Sequence, residues 1–332
     1  MVARVFAGGR GHSMARPFDG EAIRGRGHAI PAAKVIDCLS TLLKEFIPNM
    51  SRYLLILTAL AGFAAAQSPR IYNTVKTKLA AGKQVFGGTV SSSDPEVYCA
   101  MANAGFDYIW IEMQHSTLTY SDSANMIRFC KGATAIPFVR VPDATEGDIQ
   151  KAVDMGALGI IIPMVDDPEK ARNAVKFAKY PPVGKRSQGG GQYGAMWGAD
   201  YRATANDNIM IVAMIESPIG VDVADKIASV PGVDVVFIAS TDLGSFSGLK
   251  QGDPKYEALV SRSRDAIAGA QRVVGGPAAW KDRPGYLFFQ SPGETTMIRM
   301  GAQVSLGQMK AVPDGEKKGV APIEGSEHQK KN

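Results

Sequence analysis

From Val85 onward the chain alternates short apolar runs with segments whose apolar residues recur at helical spacing, and this alternation restricts the fold more than any other feature. The runs begin near Val85 (VFGGTV), Tyr108 (YIWIE), Ile136 (IPFVR), Gly159 (GIIIP), Ile209 (IMIVAMIE), Val235 (VVFIA), Arg272 (RVVGG) and Gln303 (QVSLG). Helical spacing between them predicts helices over 94–104, 122–131, 146–155, 168–178, 221–229 and 255–270. Runs that are apolar at every position suit parallel strands covered on both faces, and parallel neighbours require a crossover, usually a helix. Eight such units point to an α/β fold of the (β/α)8 TIM-barrel type, which takes about 250 residues. An open doubly wound sheet is the competitor, but no strand leads into a G-x-G-x-x-G turn. Gly189-Gly190-Gly191 follows Tyr180-Pro181-Pro182 in a long connection and reads as a flexible loop, with phosphate cradling as the lesser alternative.

Two irregularities qualify the barrel. The segment 180–208 is long for a connection, and long ordered loops tend to be functional, so it is expected to cover the site. Beyond the run at Gln303, Pro313, Gly315, Gly319, Pro322 and Gly325 interrupt any helix, so the eighth helix is expected to be missing or replaced. The strand surface so exposed would need cover from a partner chain or from a helix over 72–81.

The ends of the chain read differently from the barrel at 68–310. Residues 1–49 are rich in Gly and Arg, lack periodicity and are expected to form a disordered basic extension. Met50-Ser51-Arg52, the 14 apolar residues Tyr53 to Ala66 and the Ala64-Ala65-Ala66 exit make 50–67 a signal-peptide pattern if translation starts at Met50. Such a stretch is shorter than the roughly 20 residues that span a bilayer. Secretion follows from that start, and a cytoplasmic or mitochondrial location otherwise. Residues 311–332 read as a disordered tail.

Charge and cysteine content narrow the function. The net charge of +5 comes mostly from residues 1–66, with eight Lys and Arg against four Asp and Glu. The rest is nearly neutral, which leaves no basic face for a phosphate backbone and excludes a nucleic-acid partner. Cys38, Cys99 and Cys130 have no metal-ligand spacing, and Cys99 and Cys130, on predicted helices, are expected to be free buried thiols.

Chemistry in a (β/α)8 barrel sits at the C-terminal ends of the strands. The polar residues that fall there are Glu112 and His115 after the second strand, Arg140 at the end of the third, Glu216 after the fifth and Asp242 after the sixth. Imidazoles exchange protons near neutral pH, and His115 is the only histidine between Pro69 and Ala311. Glu216 ends a run, Ile209 to Ile215, too apolar to keep a carboxylate unless it is paired or bound to a metal. Two carboxylates at one mouth with positions open to water suit a hard cation such as Mg²⁺. Arg140 supplies a fixed fork for a carboxylate or developing oxyanion. The structural alternatives are an ion pair of Arg140 with Glu112 or Glu216, helix capping by Ser217, Asp222 or Asp242, and a solvated Asp154.

These residues also carry a resemblance. Ala104-Gly105-Phe106-Asp107 leads to Ile111-Glu112-Met113-Gln114-His115; Phe138-Val139-Arg140-Val141-Pro142 and Ile162-Pro163-Met164-Val165 follow. Tyr180-Pro181-Pro182, Ile215-Glu216, and Pro231-Gly232-Val233-Asp234 running to Asp242-Leu243 complete the set. In order and spacing, residues 76–310 resemble the HpcH/HpaI aldolase family, the metal-dependent pyruvate aldolases related to macrophomate synthase and the citrate lyase β subunit. The resemblance implies a homo-oligomeric carbon–carbon lyase that acts on small 2-oxo acids. Its divalent metal (Mg²⁺, or Mn²⁺/Co²⁺) would be held by Glu216 and Asp242. It also implies Arg140 at the enolate oxygen, backbone N–H groups at Ser240 and Thr241 on the substrate carboxylate, His115 as acid/base, and Asp154 orienting His115 across a subunit contact.

The chain departs from the family where Asp-x-Glu-His becomes Glu112-Met113-Gln114-His115, where Gly-Pro-Ala becomes Ala239-Ser240-Thr241, and where Gln becomes Met214. The expected function is a class II aldolase that cleaves 4-hydroxy-2-oxo acids to pyruvate and an aldehyde. The alternatives are an oxaloacetate decarboxylase of the macrophomate-synthase kind and a barrel that binds metal and 2-oxo acid with impaired turnover.

Overall fold

The computed structural model describes residue 37 and residues 69–309. Apart from residue 37, the extension at 1–49, the apolar segment at 50–67 and the tail at 311–332 lie outside the described residues. The chain divides into two units, Met1–Ser68 and Pro69–Asn332, and the second holds the barrel.

Eight parallel strands close into one barrel in sequence order: β1 (Val85–Val90), β2 (Tyr108–Glu112), β3 (Ile136–Arg140), β4 (Gly159–Ile162), β5 (Met210–Ile215), β6 (Val235–Ile238), β7 (Val273–Pro277) and β8 (Tyr286–Gly293). Every residue of β2 to β6 is buried, as expected for strands with side chains in the barrel on one face and helices on the other. Large rings fill the interior. Tyr108 stacks on Phe288 with centroids 4.5 Å apart, and Trp110 meets Phe237 edge-on at 5.4 Å. Glycines make room for them: a Cβ on Gly159 would stand 2.0 Å from the Phe138 ring, and one on Gly87 2.1 Å from the Tyr108 ring.

The helices start where short polar side chains can bond their free N–H groups. Asp94 caps Pro95–Ala102, Thr119 and Asp122 form a capping box on Tyr120–Phe129, and Thr145, Asp167 and Ser217 cap the helices that follow them. At the bottom of the barrel Asn73 caps Thr74–Ala80 and donates from Nδ2 to the carbonyls of Leu158 and Asn208, which ties this helix to the N-terminal ends of β4 and β5. Among the described residues no helix is long and apolar enough to cross a membrane.

Four expectations differ from the structure. The run at Gln303 lies within a helix, Glu294–Ser305, and the eighth strand is the earlier Tyr286–Gly293. Only a short 3-10 turn, Ala278–Trp280, separates β7 from β8, so the strand-then-helix rhythm breaks there and displaces the assignment. The eighth helix is therefore present. Only its first residue, Glu294, is buried, while Ile298 on this helix and Leu306 just after it are 62% and 70% exposed.

The segment 180–208 does not cover the strand C-termini. It connects the helix Pro168–Ala178 to β5 and lies at the opposite end of the barrel, where Gln192 donates to the Met155 carbonyl and Trp197 to that of Gly156. Its anchor is Arg186, which is buried between Asp154 and the rings of Tyr180, Tyr193 and Tyr201.

Cys99 and Cys130 are not free thiols; they form a disulfide with Cα atoms 5.2 Å apart. Cys99 lies in Pro95–Ala102 and Cys130 ends Tyr120–Phe129, and these helices are neighbours on the outside of the barrel. A separation of 31 residues gives no hint of that adjacency until the helices are placed.

Candidate active site

The strands end in polar residues at one mouth of the barrel. Glu112 closes β2 and Arg140 closes β3, and the parallel register sets them side by side. Arg140 Nε donates to Glu112 Oε2 at 2.5 Å, Trp110 Nε1 donates to the same oxygen at 3.1 Å, and the guanidinium lies over the Trp110 ring. The other oxygen, Glu112 Oε1, accepts the backbone N–H groups of Gln114 and His115 at 2.8 and 2.9 Å. One buried carboxylate thus fixes both the arginine and the turn that carries the histidine. The pairing of Arg140 with Glu112, a structural alternative at the sequence level, is present. It still leaves Arg140 facing a cavity of about 220 Å³, with Nη1 3.9 Å from Met214 Sδ.

Arg140, Ser240, Thr241 and Asp242 line that cavity together with Met214, Phe237, Ala239, Pro277 and Gln290. Ser240, Thr241 and Asp242 form the first turn of the helix Ser240–Ser247. Ala239 precedes it and has no side chain that could cap it, so the first-turn N–H groups are open to an anion. Asp242 does not cap the helix, whereas Ser217 does cap the helix after β5.

Glu216 follows β5 and is 1% exposed, and its Oε1 has no hydrogen-bond partner. Burial pushes its carboxyl up to about 7 and the charge of Asp242 adds to the shift, while Arg140 and the backbone N–H of Met164 oppose it. Met164 adopts φ 51°, a left-handed conformation uncommon for a side chain of its kind, directly after β4. A buried carboxylate with an unused oxygen, in the field of a second carboxylate, is an arrangement that a cation would relieve. The donor set fits a hard divalent ion that keeps open positions for water or substrate. Among the described residues no group of three or more His, Cys, Asp or Glu gathers, so the pair Glu216 and Asp242 is the candidate centre.

Glu216 is buried and does not itself line the cavity, and two further predicted residues stand apart from it. His115 is exposed on its turn and does not line the cavity. Asp154 ends the helix Glu146–Asp154 on the far side of the barrel, where Oδ1 accepts from Arg186 at 2.7 Å and Oδ2 from Gln150 at 2.8 Å. Sequence reasoning missed Gln290, because misplacing the eighth strand hid the run that holds it, Pro277, which ends β7 without a polar side chain, and Trp110, because its indole N–H serves a carboxylate two residues on.

A model of the HpcH/HpaI aldolase/citrate lyase family matches residues 88–279, which include β2 to β7 and every polar group just described except Gln290. The chain belongs to the HpcH/HpaI aldolase/citrate lyase family. It is 34% identical to a hydroxypyruvate/pyruvate aldolase of Roseovarius nubinhibens over 60% of this chain and 79% of that protein. It is 30% identical to the 2-keto-3-deoxy-L-rhamnonate aldolase of Escherichia coli K12 over 61% and 78%. A solved HpcH/HpaI aldolase/citrate lyase family protein from Burkholderia cenocepacia J2315 superposes with a TM-score of 0.66 at 27% identity, covering 72% of this chain and 100% of that one. Family membership makes the chain a carbon–carbon lyase.

Proposed function

We propose that the chain is a divalent-metal-dependent class II aldolase that cleaves 4-hydroxy-2-oxo acids to pyruvate and an aldehyde and runs the reverse addition. The observation that carries this reading is Glu216, a buried carboxylate with an unpartnered oxygen, set beside Asp242 and Arg140 at the barrel mouth. Glu216 and Asp242 would hold Mg²⁺, Mn²⁺ or Co²⁺. When bound, the ion supplies Lewis-acid polarisation of the 2-oxo group, the role that a Schiff-base lysine fills in other aldolases.

The remaining roles belong to the chain's own side chains and backbone. The first-turn N–H groups at Ser240 and Thr241 bind the substrate carboxylate, and the Arg140 guanidinium stabilises negative charge that develops on the keto oxygen. In cleavage the bond between C3 and C4 breaks, His115 removes the C4 hydroxyl proton, and C3 takes up a proton to give the pyruvate methyl group. Proton loss and gain balance. Asp154 of a neighbouring copy would orient His115. The exposed Ile298 and Leu306 at the eighth helix support self-association, and the Cys99–Cys130 disulfide supports an oxidising, exported location.

One observation favours a second reading, oxaloacetate decarboxylation. His115 lies outside the cavity, and loss of CO2 needs no base for an aldol hydroxyl. Coupled pyruvate assays separate the two. The aldolase reading expects turnover to vanish on EDTA treatment, to return with Mg²⁺, Mn²⁺ or Co²⁺, and to fall at least about 100-fold in His115→Ala. Retention of aldol cleavage after complete chelation, confirmed by metal analysis, overturns it. Decarboxylation surviving His115→Ala but lost in Arg140→Ala supports the second reading.

A further inference from the structure

The candidate active cavity shares Gln290 and Pro277 with a second cavity of about 370 Å³, lined by Thr89, Pro277, Ala278, Ala279, Gln290, Ser291, Pro292 and Gly293. None of these eight side chains carries a charge, in contrast to the first cavity with Arg140 and Asp242. Gln290 is common to both. Its Nε2 donates to Thr89 Oγ1 at 3.2 Å, and that hydroxyl donates to the Ser291 carbonyl at 2.9 Å. The threonine is thereby committed as donor and acceptor, and the amide of Gln290 is held with its carbonyl oxygen and second N–H without a bond to another described residue. Beside this pair, between Gly87 and Thr89, the register of β1 against β8 shifts. Such irregularities re-aim side chains at barrel rims.

We propose that the second cavity receives the aldehyde half of the substrate and that Gln290, positioned by Thr89, selects an uncharged aldehyde bearing a hydroxyl group. This rests on the aldolase reading and adds a specificity-determining residue to it. An amide with one free donor and one free acceptor matches a hydroxyl, which needs both. An acidic aldehyde finds no cation among the lining residues to offset its desolvation, and a plain alkyl aldehyde leaves the amide unpaired.

The test compares kcat/KM for pyruvate addition to glycolaldehyde, propanal and glyoxylate, the first two being close in size and differing in the hydroxyl. Wild type is expected to prefer glycolaldehyde to both. Gln290→Leu is expected to lower the glycolaldehyde-to-propanal ratio by about 10-fold, the scale of one neutral hydrogen bond. Thr89→Val, which removes only the anchor, should move the ratio the same way by less. A Gln290→Leu ratio equal to that of wild type, or a wild type that prefers glyoxylate, overturns the proposal. Deuterium exchange into the pyruvate methyl group by the metal-loaded wild type, followed by NMR without any aldehyde, tests the underlying reading. Exchange with an unmoved ratio sinks the assignment of Gln290 alone, and absence of exchange sinks both.

Discussion

Glu112 divides its carboxylate between two tasks: Oε2 accepts a hydrogen bond from Arg140 Nε at 2.5 Å, and Oε1 accepts one from the backbone N–H of His115 at 2.9 Å. The pair is buried, with side chains 9% and 5% exposed for Arg140 and Glu112, so neither partner is replaceable by water. Removing one member of a buried pair costs about 3–5 kcal/mol, because the other is left as an uncompensated charge. Glu112→Ala is therefore expected to lose stability on that scale and to reduce kcat far more than metal affinity. Glu112→Gln keeps an oxygen for the turn and should fall between. Urea unfolding alongside kinetics checks this, and an unchanged midpoint in Glu112→Ala would contradict the pairing.

Under the proposed metal site, Glu216 would set function against stability. Its carboxylate is buried beside another acid, and Glu216→Gln removes the charge at nearly constant shape. In metal-free protein at pH 8 this variant is expected to melt higher than wild type, while Mn²⁺ binding by calorimetry falls by at least about 100-fold. A variant that melts lower without metal would mean that the charge is already compensated.

Lys179 gives a pH dependence away from the site. Its Nζ donates to the carbonyls of Asn206 and Ile209, and burial lowers it from 10.5 to about 8. Between these values the unfolded chain holds the proton that the folded chain has released. Folding stability from this group therefore rises with pH across that window, by at most about 3 kcal/mol. Thermal unfolding at pH 7.5 and pH 10 should show wild type losing less stability than Lys179→Met at the higher pH; parallel losses would count against it.

The Cys99–Cys130 bridge closes a loop with a sequence separation of 31 residues, for which about 2–4 kcal/mol of stabilisation is usual. Cys99→Ser and Cys130→Ser should each lose that amount, and the double variant no more than either. Additive losses, or two free thiols in the unreduced folded protein by thiol titration, would contradict the bridge.

Most of the barrel was legible because burial on both faces forces apolar runs, and those at Tyr108, Ile136, Gly159, Ile209 and Val235 are strands within a residue or so of their expected starts. The eighth strand was not. Tyr286–Gly293 follows a 3-10 turn instead of a helix, and the apolar spacing of Val304 and Leu306 at the end of the final helix imitates a strand over so short a window. Glu216 could be read from its apolar lead-in, and Arg140 from its place at the end of such a run. The bond from Glu112 to Arg140 was one of several pairings the sequence allowed, and the register of β2 on β3 decides it. The disulfide and the far-side position of 180–208 depend on which elements become neighbours in space, which periodicity along one segment does not encode.

The turn Ala278–Trp280 stands where every other pair of successive strands is joined through an α-helix, and Ala278 and Ala279 form part of the wall of the second cavity. That wall can be lengthened, shortened or recomposed without prising a helix from the barrel. Substrate range is open to remodelling there, at the seam between β7 and β8, while the acids and the arginine at the ends of β3, β5 and β6 stay where their strands hold them.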